Sequence, residues 1–121
     1  MQRAVYVWSM DGAGELELRE VVMEPDGSAG GAVVRLVASG EVDLSSSDRL
    51  IEAVERAVSQ GASVVVLDAT LVQFMDSSGL RAIVRCGQVL DAAGGRLLIE
   101  GMSGAVQRVL EVSGLIDRYR A

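Results

Sequence analysis

The chain of 121 residues is long enough for one domain with its own core, and half of its residues are hydrophobic. A net charge of −6, without a visible basic cluster, argues against nucleic acid as a ligand. The chain has no histidine and all its basic residues are arginine. This excludes His-based triads, histidine metal sites and the lysines of Schiff bases and Walker loops.

The first half of the chain predicts a hairpin. Residues 16 to 23 begin with alternating apolar and polar residues, residues 33 to 43 form a second strand-like run, and the turn between them is "PDGSAGG". Upstream, the segment at residues 4 to 8, "AVYVW", fits either an extra strand or a leader.

Helices and strands then alternate. The segment "SSSDRLIEAVERAVSQG" has apolar residues at helical spacing, and Ser45 with Asp48 matches a capping box. The runs "SVVVLDA" and "RLLIEG" have the composition of strands buried on both faces. A second helix is predicted from about Leu80 to Ala93 and a third from near Ser103, and "IDRYR" fits a short edge strand.

This order predicts the fold class. It is a single α/β domain with a mixed β-sheet, in which an opening hairpin is followed by parallel strands packed with helices. Residues 1–15 are interpreted as an N-terminal extension and residues 16–121 as the domain. A single cysteine, no apolar run long enough to span a membrane and no signal-peptide pattern predict a cytoplasmic protein.

The loop "FMDSSGL", residues 74 to 80, joins the carboxyl end of a predicted strand to a helix, where sites in open α/β sheets lie. Asp76 or Ser77 can cap that helix. Gly79 is unexpected, because glycine in the first turn costs up to ~1 kcal/mol relative to alanine. It indicates either close packing or an opening through which another molecule reaches the serine hydroxyl.

These serines do not indicate an enzyme. The G-x-S-x-G pattern is absent, since Met75 stands where the motif requires glycine before Ser77. Asp76 is adjacent, but a carboxylate is a poor base toward a serine hydroxyl. The sequence therefore predicts no catalytic residue, no metal and no cofactor. The lone Cys86 is interpreted as a small buried hydrophobic residue.

From about residue 16 to residue 119, the sequence resembles the STAS domain of bacterial anti-sigma factor antagonists. The resemblance is carried, in order, by "GEVDLSSSDRL", "VVVLDATLVQFMDSSGL" and "AGGRLLIEGMSGAVQRVLEVSGL". It implies a regulator of transcription, of the kind used in stress responses, that switches partners. The unmodified protein binds an anti-sigma factor with serine kinase activity, which frees the sigma factor. The kinase phosphorylates the antagonist on a serine, and a metal-dependent serine phosphatase reverses this phosphorylation.

The resemblance also implies the site residues. The phosphorylated residue is Ser77, with Ser78 as the competing acceptor and otherwise a second capping hydroxyl. The expected partner surface consists of Glu41, Asp43, Ser45, Asp76, Ser77, Ser78, Gly79, Leu80 and Arg81.

Two features depart from the family pattern. The family usually starts close to its first strand, so residues 1 to 15 are extra here. The family often ends with a further helix beyond the last strand, whereas this sequence stops at Ala121, which leaves room for a swapped arrangement or a homodimer. The alternative function is a STAS subunit without a switch, in a lipid or anion transport system. No nucleic acid and no direct membrane insertion are expected for either function.

Overall fold

The computed structural model describes residues 3–11, 16–24 and 31–121, with side chains described for residues 16–22 and 31–121. The strands are β1 Arg3–Asp11, β2 Leu16–Glu24, β3 Ala32–Val42, β4 Ala62–Met75 and β5 Arg96–Met102. The helices are α1 Ser47–Ser59, α2 Ser77–Ala92, α3 Gly104–Ser113 and α4 Ile116–Tyr119.

The strands form one sheet in the order β1-β2-β3-β4-β5. β1 and β2 pair antiparallel, as do β2 and β3, whereas β3, β4 and β5 run parallel. The predicted α/β class, hairpin and parallel strands are confirmed. The turn predicted at residues 25–31 lies outside the described residues, apart from Gly31. Residues 3–11 form a strand against β2, and the division of the chain at residue 15 stays a prediction.

The core lies between one face of the sheet and the helices. Leu36, Leu67 and Ile99 are neighbours across β3, β4 and β5 and are all buried on that face. Leu50 of α1 and Ile83 of α2 cover them in the same hydrophobic cluster. The opposite face keeps partly exposed side chains, because strand residues alternate between the faces.

β4 is longer than the β-branched run alone predicts. It pairs with β3 as far as Met75, through two register shifts between Val37 and Glu41 of β3. Each shift inserts a residue into β4, so Val72 and Met75 return to the buried face. The extension carries the end of β4 to the level of Val42, where β3 ends.

The C-terminal segment packs onto the same domain. It forms α4 rather than the predicted edge strand, and only one parallel bridge, between Ile99 and Arg120, joins it to β5. Tyr119 is buried against Gly87 of α2, whose missing side chain makes the room, since a Cβ there would lie 3.0 Å from the tyrosine ring.

Candidate functional site

Asp76 is the N-cap of α2. It follows β4 with an extended backbone, and its Oδ1 accepts hydrogen bonds from the amides of Ser78, at 2.9 Å, and Gly79, at 3.3 Å. The Leu80 amide donates to the Asp76 carbonyl at 3.1 Å and closes the first turn. The helix therefore begins at Ser77, three residues before the predicted start.

Ser77 is exposed as the first residue of α2, and within the described part of the chain its hydroxyl makes no hydrogen bond. Asp76 does the capping alone, so the fold makes no use of the Ser77 hydroxyl. A group added to this oxygen would start from an exposed position and would break no hydrogen bond among the described residues.

Ser78 has different surroundings. It is half-buried and lines a small cleft of about 120 Å³ between the beginnings of α1 and α2. Asp48, across the cleft on α1, would repel a phosphate placed there. The interpretation of Ser78 as a second capping hydroxyl is wrong, because both capping bonds end on Asp76.

Gly79 is buried, so the interpretation of this glycine as an access point is wrong. A Cβ at this position would lie 2.8 Å from the Val42 carbonyl oxygen and 2.5 Å from Met75 Cγ. The alternative named with it, close packing, is what the structure shows: the absent side chain lets α2 start directly against the end of β3.

The acidic loop, residues 41–48, lies beside the start of α2. Val42 and Met75 are register partners, and the Asp76 amide lies 3.4 Å from the Val42 carbonyl. The two strand ends therefore bring the loop around Asp43 next to the loop around Asp76.

Hydrogen bonds organise the acidic loop. Asp43 Oδ1 accepts from the amide and the hydroxyl of Ser45, at 2.9 and 2.7 Å. These bonds, with those from Ser46, hold the pKa of Asp43 below its usual 3.8. Buried Ser46 accepts from the Asp43 amide at 3.0 Å and donates to the Glu41 carbonyl at 2.8 Å.

The capping box predicted from Ser45 and Asp48 is wrong. Helix α1 begins at Ser47, its N-cap position is Ser46, and no side chain caps it. Ser45 instead bonds back to Asp43, two residues earlier, because serine and aspartate side chains readily form such local turns.

Two exposed apolar side chains at this edge of the sheet did not stand out in the sequence. Leu44 is 80% exposed in the acidic loop, and Phe74 is 46% exposed beside Glu41. Leu44 lies before the apolar stripe of α1 in the sequence and is not part of it. This position could have indicated a surface residue. The site residues Leu80, half-buried, and Arg81, exposed, complete this edge on α2.

The described residues contain no group of His, Cys, Asp and Glu suited to a metal ion. No described helix has the length and apolar character needed to cross a bilayer. Burial raises the pKa of the Cys86 thiol to about 12, in line with its interpretation as a core residue. The carboxylate of Asp76, next to Ser77, accepts hydrogen bonds from two backbone amides of α2.

Fold and site together define a mixed α/β domain that presents an unused serine hydroxyl beside an acidic loop. The sequence matches the model of the STAS domain family over residues 26–119. The chain belongs to this family.

Relatives with assigned roles share most of its length. An anti-sigma F factor antagonist of Paenibacillus polymyxa is 33% identical over 94 residues, which cover 77% of this chain and 79% of that protein. An anti-sigma-B factor antagonist of Listeria monocytogenes is 30% identical over 84 residues, 69% of this chain and 74% of that protein. These relatives are regulatory proteins.

A solved structure shares the fold. The crystal structure of an anti-sigma factor antagonist from Mycobacterium paratuberculosis superposes with a TM-score of 0.66 at 24% identity, covering 84% of this chain and 82% of that one.

Proposed function

We propose that this protein is an anti-sigma factor antagonist: it binds an anti-sigma factor with serine kinase activity, and phosphorylation of Ser77 ends the binding. In the kinase reaction the γ-phosphoryl group of ATP passes to Ser77 Oγ, ADP leaves, and the hydroxyl proton passes to a base of the kinase. A metal-dependent serine phosphatase restores the hydroxyl by hydrolysis. The partner surface comprises Glu41, Asp43 and Ser45 of the acidic loop together with Asp76, Ser77, Ser78, Leu80 and Arg81; Gly79, being buried, is not part of it.

The observation that carries the proposal is that Ser77 is exposed and structurally unused. A kinase acceptor must reach the active site of another protein, and it must tolerate both states without loss of the fold. Ser77 meets both requirements because Asp76 caps the helix. Ser78 does not, because it faces the cleft toward Asp48.

Electrostatics at an interface explains how one phosphate can separate the partners. A phosphoserine adds about −1.5 to −2 charges near neutral pH. In a complex this charge would lie close to Asp76 and the acidic loop and would lose its hydration. Moving a complex from 99:1 to 1:99 requires a differential of about 5.5 kcal/mol. A desolvated dianion among carboxylates can supply this amount without refolding of the domain.

The test is binding to purified kinase-type anti-sigma factors, measured by calorimetry and followed by ATP addition and phosphosite mapping. Wild type and Ser77→Ala should bind, and only wild type should be phosphorylated. Ser77→Asp should weaken binding by roughly 100-fold or more, since an uncompensated charge that loses its hydration at an interface costs several kcal/mol. Its circular dichroism should match that of wild type.

Ser78→Ala, which removes the neighbouring hydroxyl without adding a charge, is the matched control for the phosphorylation site. With this variant the kinase should still modify Ser77. If Ser77→Asp binds as tightly as wild type, the electrostatic switch is wrong. Co-purification with membrane components and the absence of phosphate would instead support a transport subunit.

A further inference from the structure

Arg81 stands one helical turn after Ser77 on the exposed side of α2. Side chains four residues apart on a helix are neighbours and form ion pairs when their charges are opposite. Within the part of the chain described, Arg81 takes part in no salt bridge. Its guanidinium is therefore available to a new anion nearby.

The usual anion-binding groups at a helix start are already engaged here. The amides of Ser78 and Gly79 donate to Asp76 Oδ1. A phosphate on Ser77 would have to displace this carboxylate to reach them. The nearest cationic side chain along the same helix face is Arg81.

We propose that Arg81 binds the phosphate on Ser77 as an ion pair within this chain, so that the modified residue is held along α2. The inference rests on the proposed phosphorylation of Ser77. Guanidinium and phosphate form charge-assisted, often bidentate hydrogen bonds. The pair favours the doubly charged form of the phosphate and fixes its position beside the partner surface.

Other charged groups lie near Ser77 and also shift the second pKa of a phosphate there, carboxylates upward and arginines downward. Asp76 precedes the phosphate, Asp48 lines the cleft that Arg81 also lines, and Glu41 and Asp43 lie in the acidic loop. These carboxylates raise the second pKa of the phosphate. Arg85 lies a further turn away on α2 and serves as the matched control.

The test is a ³¹P NMR titration of protein in which phosphoserine is incorporated at position 77 during translation, so that no kinase is needed. The second pKa of phosphoserine is about 6. Arg81→Gln should raise it by about 0.3 pH unit, the size expected for one pair at this spacing. Arg85→Gln should change it by less than about 0.1 unit. The difference should shrink in 1 M salt, where the Debye length is about 3 Å.

Equal pKa values in wild type and Arg81→Gln would overturn the inference, and so would an equal shift in Arg85→Gln, which would indicate only a general field. Because the phosphoserine is built in, this result is independent of whether a kinase modifies Ser77. The partner-binding experiment on unmodified protein tests the proposed function separately.

Discussion

At Gly79 the backbone of α2 approaches β3 so closely that a methyl group does not fit. In Gly79→Ala, either the Val42 carbonyl or the helix must shift, because the new Cβ would lie 2.8 Å from that oxygen. We expect a loss of about 1–3 kcal/mol in the free energy of unfolding, measured by urea denaturation. The matched control is Gly104→Ala, at the start of α3, where nothing lies within 4 Å of the added Cβ. Equal effects of the two substitutions would contradict the close-packing explanation.

The cap at Asp76 gives a second prediction at this scale. Asp76→Ala leaves two helix amides without their acceptor and should lower the free energy of unfolding by about 1 kcal/mol. Ser77→Ala should stay within about 0.5 kcal/mol of wild type, since its hydroxyl supports no contact. Thermal denaturation of both variants measures these changes in stability. A strongly destabilised Ser77→Ala would show that the hydroxyl has a structural role.

Between elements, Cys86 lies at the contact of α2 with α1, where its Sγ is 3.9 Å from the Leu50 carbonyl. Burial raises its pKa to about 12, so almost no thiolate exists at pH 8 in the folded protein. We expect labelling by a thiol reagent to be roughly 100-fold slower in buffer than in denaturing urea. The variant Ala92→Cys adds an exposed thiol at the end of the same helix and should label with one fast equivalent. Fast labelling of wild type would place Cys86 at the surface.

The raised pKa of Cys86 also makes the free energy of unfolding depend on pH. An unfolded thiol ionises near pH 8.5, whereas the folded one ionises near 12. The stabilisation that depends on a neutral Cys86 is therefore complete below about pH 8.5 and is lost as the pH rises toward the folded value. Cys86→Ala should remove this part of the alkaline decline in urea midpoint.

How much could be predicted from the sequence differs between elements. The β-branched run of β4 and the helical spacing in α1 and α2 determine the element types, because burial of one face imposes the period. The sequence predicts a start of α2 that is three residues too late, since the residues from Ser77 to Gly79 carry no apolar signal and only the cap at Asp76 shows where the helix begins. The predicted strand also ends before β4 does, because the last residues of β4 are strand through their pairing with β3.

The sequence names the residues of the candidate site, but their arrangement in space comes only from the structure. The motif around Ser77 and the acidic loop around Asp43 are local and readable. The difference between Ser77 and Ser78 depends on where α1 packs, which no local pattern specifies. Gly79 could be recognised as unusual, but its cause is the carbonyl of Val42, 37 residues earlier in the chain.

At the scale of the whole molecule, an ion-pair network crosses three parallel strands on the sheet face opposite the core. Arg35 of β3 bonds to Asp68 of β4 at 2.9 Å and also pairs with Glu100 of β5. Burial raises the pKa of Asp68, but hydrogen bonds from Thr70 and Arg35 outweigh it and leave the pKa below 3.8. The ionised carboxylate is thus favoured in the folded state.

Because this pKa is lowered on folding, the stabilisation by Asp68 is present above about pH 4 and is lost as the pH falls through the folded value. Asp68→Asn should lower the free energy of unfolding by roughly 1 kcal/mol at pH 7, and the difference from wild type should narrow as the pH falls from about 4 toward 2, as measured by urea denaturation across this range. Asp117→Asn is the control, since its carboxylate is 89% exposed and lies 3.9 Å from its partner Arg120. It should change stability little at either pH. A difference between wild type and Asp68→Asn that persists unchanged at pH 2 would show that Asp68 acts through packing rather than charge.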